Sequence, residues 1–310
     1  MEQNSAAAEF GLMFTPVGLS AESIISEART ADRLGYHSLW VSDHFIPAVE
    51  PERDLFECLT TMGALTTATE RIRLGTIVIC TAFRNPALLA KALCTLDHLS
   101  NGRLIIGLGA GYREDEFKAY GYDFPPVPER LRRFEETVQV IKAMLVEPRA
   151  TFKGRFHSVE GAINNPKPLQ KPHPPIMIGG GGRKVMLKLV AKYADWWNFG
   201  GANPYFDELL ATLKEHCRTI GRDFSTLRVT EVVNVCLGRT EQEAREKYRI
   251  VEASGSRSLP NTITGTADQV IQDFQRRVAK GVSLFLMHFP EGRTPETVEY
   301  FSRAVMPAFR

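Results

Sequence analysis

The sequence of 310 residues predicts a single α/β domain spanning residues 1–310, folded as a closed (β/α)8 barrel of the TIM type. Strand-like and helix-like segments alternate from end to end, which is typical of parallel sheets. Several strand-like segments are apolar along their whole length, as strands covered on both faces are. No linker or internal repeat separates two halves, although an open doubly wound sheet remains the alternative.

Eight strand-like segments are expected to form the barrel, and a helical pattern follows each of them. They span residues 10–14, 38–41, 72–79, 104–109, 176–178, 195–199, 227–237 and 283–287. The first helix carries apolar residues on one face and is expected to end at Gly35, and a helix near residues 55–69 follows the second strand.

Two later helices have the clearest signals. Asn85-Pro86 opens the helix after the third strand and Asn101-Gly102 closes it, since proline suits the first turn and glycine the position just past the end. The helix after the fourth strand has the strongest three-four apolar spacing, at Leu131, Phe134, Val138, Ile141 and Leu145. Two segments, residues 151–174 and 251–265, are longer than ordinary connections, and we expect both to flank the open end of the barrel.

The overall composition excludes several classes of partner. The 38 basic and 36 acidic residues leave a charge of only +2 without a local basic run, so nucleic acid is not expected. The five scattered cysteines contain no C-x-x-C pair, which argues against a disulfide framework or a zinc site and fits a reducing cytosol. Residues 1–5 lack the pattern of a signal peptide, and the longest apolar stretch is about half a membrane span. We therefore expect a cytoplasmic protein with no metal and no membrane partner.

The most informative stretch is a run of four glycines between the fifth strand and a helical pattern: Gly179, Gly180, Gly181 and Gly182, preceded by Ile178. A strand, exposed backbone and a helix N-terminus in this order can bind a phosphate, because N–H groups point outward and glycine allows close approach. A flexible turn is the alternative, but it would be an entropically costly use of four glycines. The run therefore predicts an anion site.

Residues just past each barrel strand are expected to line an active site. His44 is the candidate acid or base, because it follows the second strand beside Asp43, which could orient it. Adjacent side chains on an extended strand point apart, so we expect His44 to face the ligand and Asp43 to support it through a neighbouring strand. A purely structural histidine is the alternative. His288 follows the eighth strand but has no neighbouring acid.

Other motifs are absent or weak. The segment 107–111 lacks the spacing of a dinucleotide fingerprint, and we interpret its small residues as room for a flat ring. The sequence has no nucleophile elbow, P-loop or H-E-x-x-H motif, so it does not support hydrolase, kinase or metalloprotease chemistry.

Five segments in order resemble the bacterial luciferase-like flavin and deazaflavin oxidoreductases. They are residues 40–45, 74–87, 96–103, 107–111 with 116–117, and 178–182, and the resemblance extends from about Phe10 to Phe289. Within that family the chain is similar to the branch that uses coenzyme F420, a deazaflavin with a phosphate-bearing tail.

The resemblance implies a cofactor ring over strands two, three and four, with its phosphate at the loop after strand five. It also implies a bulged third strand with a non-proline cis peptide at Ile77–Val78, supporting the ring from behind. Together with the strand-end argument, it gives as cofactor-binding residues Ile77, Val78, Cys80, Gly109, Gly111, Asp115, Glu116, Ile178, Gly179, Gly180, Gly181, Gly182 and Asn198.

These features predict an F420-dependent oxidoreductase that transfers a hydride to or from a small organic substrate. The absence of Ser or Thr among the four glycines, the chain length and the Asp43-His44 pair favour the deazaflavin over FMN. The alternatives are an FMN-dependent monooxygenase and a non-catalytic flavin-binding protein. Sugar-phosphate dehydrogenases of this family carry a catalytic glutamate where this chain has Tyr112, so the substrate stays open.

The chain is also expected to form a homodimer. The helices after strands two and three carry more apolar residues than one buried face needs: Leu59, Met62, Leu65, Leu88 and Leu89. Large apolar faces are usually covered by a partner with two-fold symmetry. The alternative is that all five face the barrel.

Overall fold

Strands and helices alternate along the computed structural model, which describes residues 7–14, 17–48, 50–200, 205–253, 261–290 and 294–310. The strands are β1 (Glu9–Phe14), β2 (Ser38–Val41), β3 (Arg73–Thr76), β4 (Ile79–Cys80), β5 (Leu104–Gly109), β6 (Ala150–Lys153), β7 (Ser158–Ala162), β8 (Ile176–Gly179), β9 (Trp196–Gly200), β10 (Arg228–Leu237), β11 (Thr262–Gly265) and β12 (Leu284–His288). The helices are α1 (Ala21–Arg33), α2 (Cys58–Ala68), α3 (Pro86–Leu99), α4 (Glu114–Ala119), α5 (Val127–Val146), α6 (Met186–Tyr193), α7 (Phe206–Thr219), α8 (Glu241–Ala253), α9 (Ala267–Ala279) and α10 (Pro295–Ala304).

Parallel pairing closes the sheet into a barrel. The order is β1-β2-β3-β5-β8-β9-β10-β12, and β12 pairs again with β1. The predicted (β/α)8 barrel is therefore confirmed, and its eight strands lie within a few residues of the expected positions. Helix punctuation is also confirmed at α3, where the Asn85 side chain caps the first turn and Asn101 and Gly102 adopt left-handed backbone conformations.

The lower part of the barrel is filled by large side chains from alternate positions of the strands. Trp40 packs there with the members of one buried cluster, Ile105, Met177, Trp196, Leu284 and Leu286. Two glycines make room: a Cβ at Gly75 would lie 2.4 Å from the Trp40 ring, and one at Gly107 would lie 1.8 Å from the Thr76 carbonyl oxygen. The interior is thus packed below, and any opening must lie at the carboxyl ends of the strands.

The third strand is broken at the position that the family resemblance implies. The Ile77–Val78 peptide is cis, and it separates β3 from β4, which both pair with β5. The predicted continuous strand 72–79 is therefore two short strands.

The segment 151–174 does not flank the open end, contrary to expectation. It contributes to the antiparallel hairpin β6–β7, which packs on the outer side of α5. The Glu136 carboxylate of α5 accepts hydrogen bonds of 2.8–3.0 Å from three backbone N–H groups of the hairpin turn, those of residues 155–157. The length of the loop indicated an insertion but did not indicate on which side of the barrel the insertion would lie.

The second long segment is only partly described, because residues 254–260 lie outside the described ranges. The part that is described includes β11, which pairs in parallel with the last four residues of β10. This strand was not predicted, since four residues of mixed polarity carry too little pattern.

Most of the apolar residues that suggested a dimer face the barrel. Met62, Leu65 and Leu89 are fully buried, Leu59 is half-buried, and only Leu88 is well exposed, at 67%.

Among the described helices none combines the length and apolar character of a membrane-crossing segment. The described residues likewise contain no cluster of His, Cys, Asp or Glu side chains arranged to hold a metal ion.

The end of α1 is tied to the start of β3 by one carboxylate. Asp32 accepts hydrogen bonds from the backbone N–H groups of Glu70 (2.7 Å), Arg71 (3.1 Å) and Ile72 (2.8 Å). Burial by itself raises the pKa of Asp32, but these hydrogen bonds outweigh it and hold the pKa below its usual value.

We expect Asp32→Asn to lower the free energy of unfolding by about 2–3 kcal/mol at pH 7, because three N–H groups lose an anionic acceptor. A depressed pKa stabilises the fold above the unfolded-state pKa, near 3.9, and this stabilisation is lost as the pH falls through the folded-state pKa. The difference between wild type and variant should therefore shrink below about pH 4. Urea unfolding at several pH values measures it, with exposed Asp123→Asn as control. An equal loss at all pH values would contradict the assignment.

Candidate functional site

A cavity of about 650 Å³ opens at the carboxyl ends of the barrel strands. Its size is that of a typical ligand or cofactor site. Many of the predicted site residues line it: Asp43, His44, Ile77, Val78, Cys80, Gly109, Gly111, Glu116, Gly179, Gly180, Gly181 and Asn198.

Three predicted residues lie outside the cavity wall. Asp115 is exposed and pairs with Arg113 at 2.5 Å. Ile178 is fully buried in the core between barrel and helices. Gly182 is exposed beyond the loop after β8. The strand-end argument located loops that reach the cavity but could not tell which residues of each loop line it.

Asp43 and His44 lie just beyond β2, and their contacts follow the alternation that the strand sets. Ser38 and Trp40 point into the barrel, so Asp43 points outward and His44 inward. The Asp43 carboxylate is 3% exposed and accepts hydrogen bonds from both Nη atoms of Arg84 (2.5 and 2.8 Å) and from the Cys80 N–H (2.9 Å). Asp43 therefore does not bind the imidazole itself, because its oxygens bind Arg84 and the neighbouring strand β4.

Glu116 on α4 is the partner of His44. Its Oε2 lies 2.9 Å from Nδ1 of His44, and its Oε1 accepts the N–H groups of Phe45 (2.5 Å) and Ile46 (3.2 Å). The carboxylate is 1% exposed, so these three contacts hold it in place. An ionised carboxylate only accepts hydrogen bonds, so Nδ1 carries the proton. The other ring nitrogen, Nε2, makes no hydrogen bond within the described part of the chain and is the one left for a ligand.

Sequence reasoning placed Glu116 among the cofactor-binding residues and missed this role. His44 and Glu116 are 72 positions apart, and no local pattern links them.

The Tyr112 ring lies edge-on to the His44 imidazole, with ring centroids 5.8 Å apart, and is 70% exposed at the mouth of the cavity.

The floor of the cavity is built from Val78 and the two glycines that face it. A Cβ on Gly109 would lie 2.5 Å from a methyl carbon of Val78, and one on Gly179 would lie 3.3 Å from the other methyl carbon. Both glycines are therefore needed for close packing around Val78.

Burial raises the pKa of the neighbouring Cys80 thiol to about 12, so the thiol stays protonated.

The glycine loop after β8 is tied to β9 rather than loose. The Gly180 N–H donates to the Asn198 carbonyl (3.0 Å), and the Gly180 carbonyl accepts from Nε1 of Trp197 (2.9 Å). Gly180 has φ +128°, a conformation that suits glycine. Helix α6 begins at Met186, so a turn over residues 183–185 separates the glycines from the helix N-terminus. A fixed loop of bare backbone at the cavity wall fits a bound anion better than a flexible turn does.

An apolar wall was not predicted at all. We use this name for Met13 of β1 together with Val17, Ile46 and Leu55 from the loops after β1 and β2, all of which line the cavity and are half-buried. Val17 and Leu55 form an isolated antiparallel bridge, and the adjacent Gly18 N–H donates to the Asp54 carbonyl at 2.8 Å. These residues belong to no motif, and only the tertiary pairing of two loops brings them together.

Comparisons with known proteins agree with the barrel. The model of the luciferase-like monooxygenase family matches residues 8–299. An F420-dependent glucose-6-phosphate dehydrogenase of Amycolatopsis mediterranei is 30% identical over 234 residues, which cover 73% of this chain and 68% of the relative. Two further relatives with that description are covered to 65% of their length.

Two more proteins extend the comparison over most of the chain. An FMNH(2)-dependent dimethylsulfone monooxygenase of Pseudomonas putida is 27% identical over 91% of this chain and 86% of the relative. Among solved structures, an F420-dependent secondary alcohol dehydrogenase in complex with an F420-acetone adduct has a TM-score of 0.84, with 22% identity over 98% of this chain and 99% of the other. At that identity the likeness concerns the fold.

Proposed function

The chain belongs to the luciferase-like monooxygenase family, and within it we propose an F420-dependent oxidoreductase that moves a hydride between the deazaflavin and a small organic substrate. The observation that carries the proposal is one cavity with three parts. A glycine loop for a phosphate, a floor at Val78 for a flat ring, and a histidine held by a buried glutamate all face it.

The residues present fit such a cofactor. The glycine loop offers backbone that is fixed by β9 and free of side chains, at residues 179–181. The floor around Val78 leaves no room for a Cβ at Gly109. The residues proposed to hold the ring are Ile77, Val78, Cys80, Gly109 and Gly111, with Asn198 beside the loop. When bound, the deazaflavin supplies or accepts the hydride and does not activate oxygen.

His44 is proposed to move the proton that accompanies the hydride. Glu116 holds the Nδ1 proton and leaves Nε2 as the basic nitrogen, so Nε2 accepts a proton from a substrate hydroxyl in one direction and returns it in the other. Asp43 has a different role. Its contacts with Arg84 and Cys80 hold in place the backbone that carries His44.

The second candidate is an FMN-dependent monooxygenase. The Pseudomonas putida relative supports it, because it aligns with 91% of this chain. The relatives described as F420-dependent and the absence of Ser or Thr among the four glycines favour the deazaflavin.

We also propose a cytoplasmic homodimer that recognises neither membranes nor nucleic acid. The buried thiols of the cysteines and the small net charge support the location and the partners. The outer face of α2 supports the dimer, because none of its exposed or half-exposed residues carries a charge: Leu59, Thr60, Gly63, Ala64, Thr67 and Ala68. Leu88 of α3, next to α2 in the fold, adds an exposed apolar side chain. A second copy related by two-fold symmetry would cover both.

Titration of the purified chain with F420 and, separately, with FMN tests the choice of cofactor. We expect F420 to bind at least about tenfold more tightly, a difference of about 1.4 kcal/mol. Gly181→Val should weaken binding by a similar factor, because a side chain would occupy the place of the phosphate, while the melting temperature without cofactor stays the same. Tight binding of FMN alone would contradict the proposal, as would unchanged affinity in a folded Gly181→Val variant.

His44→Ala is expected to bind F420 within a few-fold of wild type and to lose roughly 10²–10⁴-fold in turnover. Glu116→Gln should also lose activity, because its amide donates to Nδ1 and so moves the imidazole proton to Nε2. That loss should be larger for oxidation of an alcohol, where Nε2 must accept a proton, than for the reverse reaction. Glu114→Gln, an exposed change on the same helix, is the matched control. Equal effects of the two glutamate changes would refute the role of Glu116.

The dimer is tested by placing a charge on the outer faces of α2 and α3. Ala64→Arg with Leu88→Arg should convert a species of twice 34.7 kDa into a monomer, because two buried guanidinium groups would be left unpaired. Light scattering at micromolar concentration measures it, with exposed Ile250→Arg on α8 as control. A wild-type chain that is already monomeric there would refute the dimer.

A further inference from the structure

The apolar wall lies across the barrel from the glycine loop. In the closed strand order β1 is four places from β8, so the loops after β1 and β8 face each other across the cavity. His44, at the end of β2, stands next to the wall. A cofactor anchored at the glycine loop and lying over Val78 therefore leaves the space beside the wall for the substrate.

The wall offers a substrate apolar contact. Val17, Ile46 and Leu55 each keep part of their side-chain surface uncovered by the protein. The bridge between Val17 and Leu55 and the hydrogen bond beside it hold the two loops together. The surface is thus a built part of the cavity that an apolar group can cover.

The two cationic side chains that line the cavity each contact other protein groups, and within the described part of the chain only Arg113 of the two makes an ion pair, while the buried Nε of Arg130 has no hydrogen-bond partner there. Among the described residues, the cationic side chains that line it are Arg113 and Arg130. Arg113 donates to the Ile46 carbonyl (2.6 Å) and to Asp115 (2.5 Å). Arg130 lies over the Phe124 ring at 3.9 Å and donates to the Pro125 carbonyl (2.8 Å). A phosphate ester needs cations that can turn to it, and neither guanidinium belongs to the apolar wall.

We propose that the substrate is an uncharged alcohol, or the carbonyl compound related to it, whose apolar remainder packs on Val17 and Leu55. A sugar phosphate is not the substrate. This inference rests on the proposed function. In the oxidation, the carbinol C–H bond breaks with transfer of its hydride to oxidised F420, the O–H proton passes to Nε2 of His44, and the C=O bond forms. The substrate loses two electrons and the cofactor gains them.

The expected signature is a dependence of kcat/KM on the length of the substrate's alkyl chain. Each methylene buried against the wall should raise kcat/KM about fourfold, the factor that corresponds to burial of one CH₂ group. The full chain with F420 is assayed with 2-propanol, 2-butanol, 2-pentanol and 2-hexanol, with the matching 2-alkanones and reduced F420, and with glucose 6-phosphate. We expect rising kcat/KM along both series and no turnover of the sugar phosphate.

Two variants assign the effect to the wall. Leu55→Asn keeps the approximate size but makes the surface polar, so the gain per methylene should fall to about twofold or less. Leu169→Asn makes the same change at an exposed position far from the cavity and should leave the gain intact. Val17→Thr, which preserves shape, serves as a second test if Leu55→Asn does not fold. Competition by unreactive n-alkanes with substrate binding gives a readout independent of turnover and should also strengthen with length.

The outcomes separate this inference from the function on which it rests. If F420 binds but kcat/KM is flat along the series, no alcohol or ketone reacts, or glucose 6-phosphate is preferred, the inference is overturned and the cofactor assignment stands. If the gain per methylene survives in the wall variants, the wall is not the substrate surface. If F420 does not bind, the proposed function fails and this inference fails with it.

Discussion

The alternation of side chains along β2 and into the residues just after it is the constraint on which the site depends. It sends Trp40 into the barrel, Asp43 outward to Arg84 and His44 back toward the cavity. Burial alone would lower the pKa of Arg84, but hydrogen bonds to Asp43 and Glu57 raise it above its usual value, so the guanidinium remains charged. The outward ion pair fixes the strand end, and the inward imidazole is then oriented by a second carboxylate from α4. The Asp43 carboxylate holds the backbone after β2, and the Glu116 carboxylate holds the His44 ring.

The shape of the cavity follows from what fills the barrel beneath it. Trp40 occupies the lower interior because residue 75 has no side chain, and the absence of a side chain at residue 107 lets the Thr76 backbone approach β5 closely. Above it, Val78 projects between Gly109 and Gly179, so the floor is a closed apolar surface. A flat molecule can lie on such a floor but cannot sink through it. The depth of the site is therefore set by glycines whose places lie on strands β3, β5 and β8.

The fold could be predicted from the sequence because its signals are local. Apolar strands, the proline and glycine around α3 and the four-glycine run each lie within a few residues, and each appeared at the expected place. The hairpin β6–β7 and the strand β11 are short and partly exposed, so they carry little pattern. The partners of Asp43 and His44 are 41 and 72 positions away in the chain, and the pairing of Val17 with Leu55 joins two loops. Such contacts are set by how the barrel closes, which spacing along the chain does not encode.

The protonated thiol of Cys80 has a chemical consequence for whatever the cavity admits. Its pKa of about 12 leaves almost no thiolate at neutral pH, and thiolate is the form that attacks electrophilic carbon. The Cys80 sulfur, which lies beside Gly111 at the cavity, acts as a soft, polarisable surface rather than as a nucleophile. A protonated thiol reacts slowly with unsaturated carbonyl compounds, and the same protonation slows stepwise oxidation of Cys80.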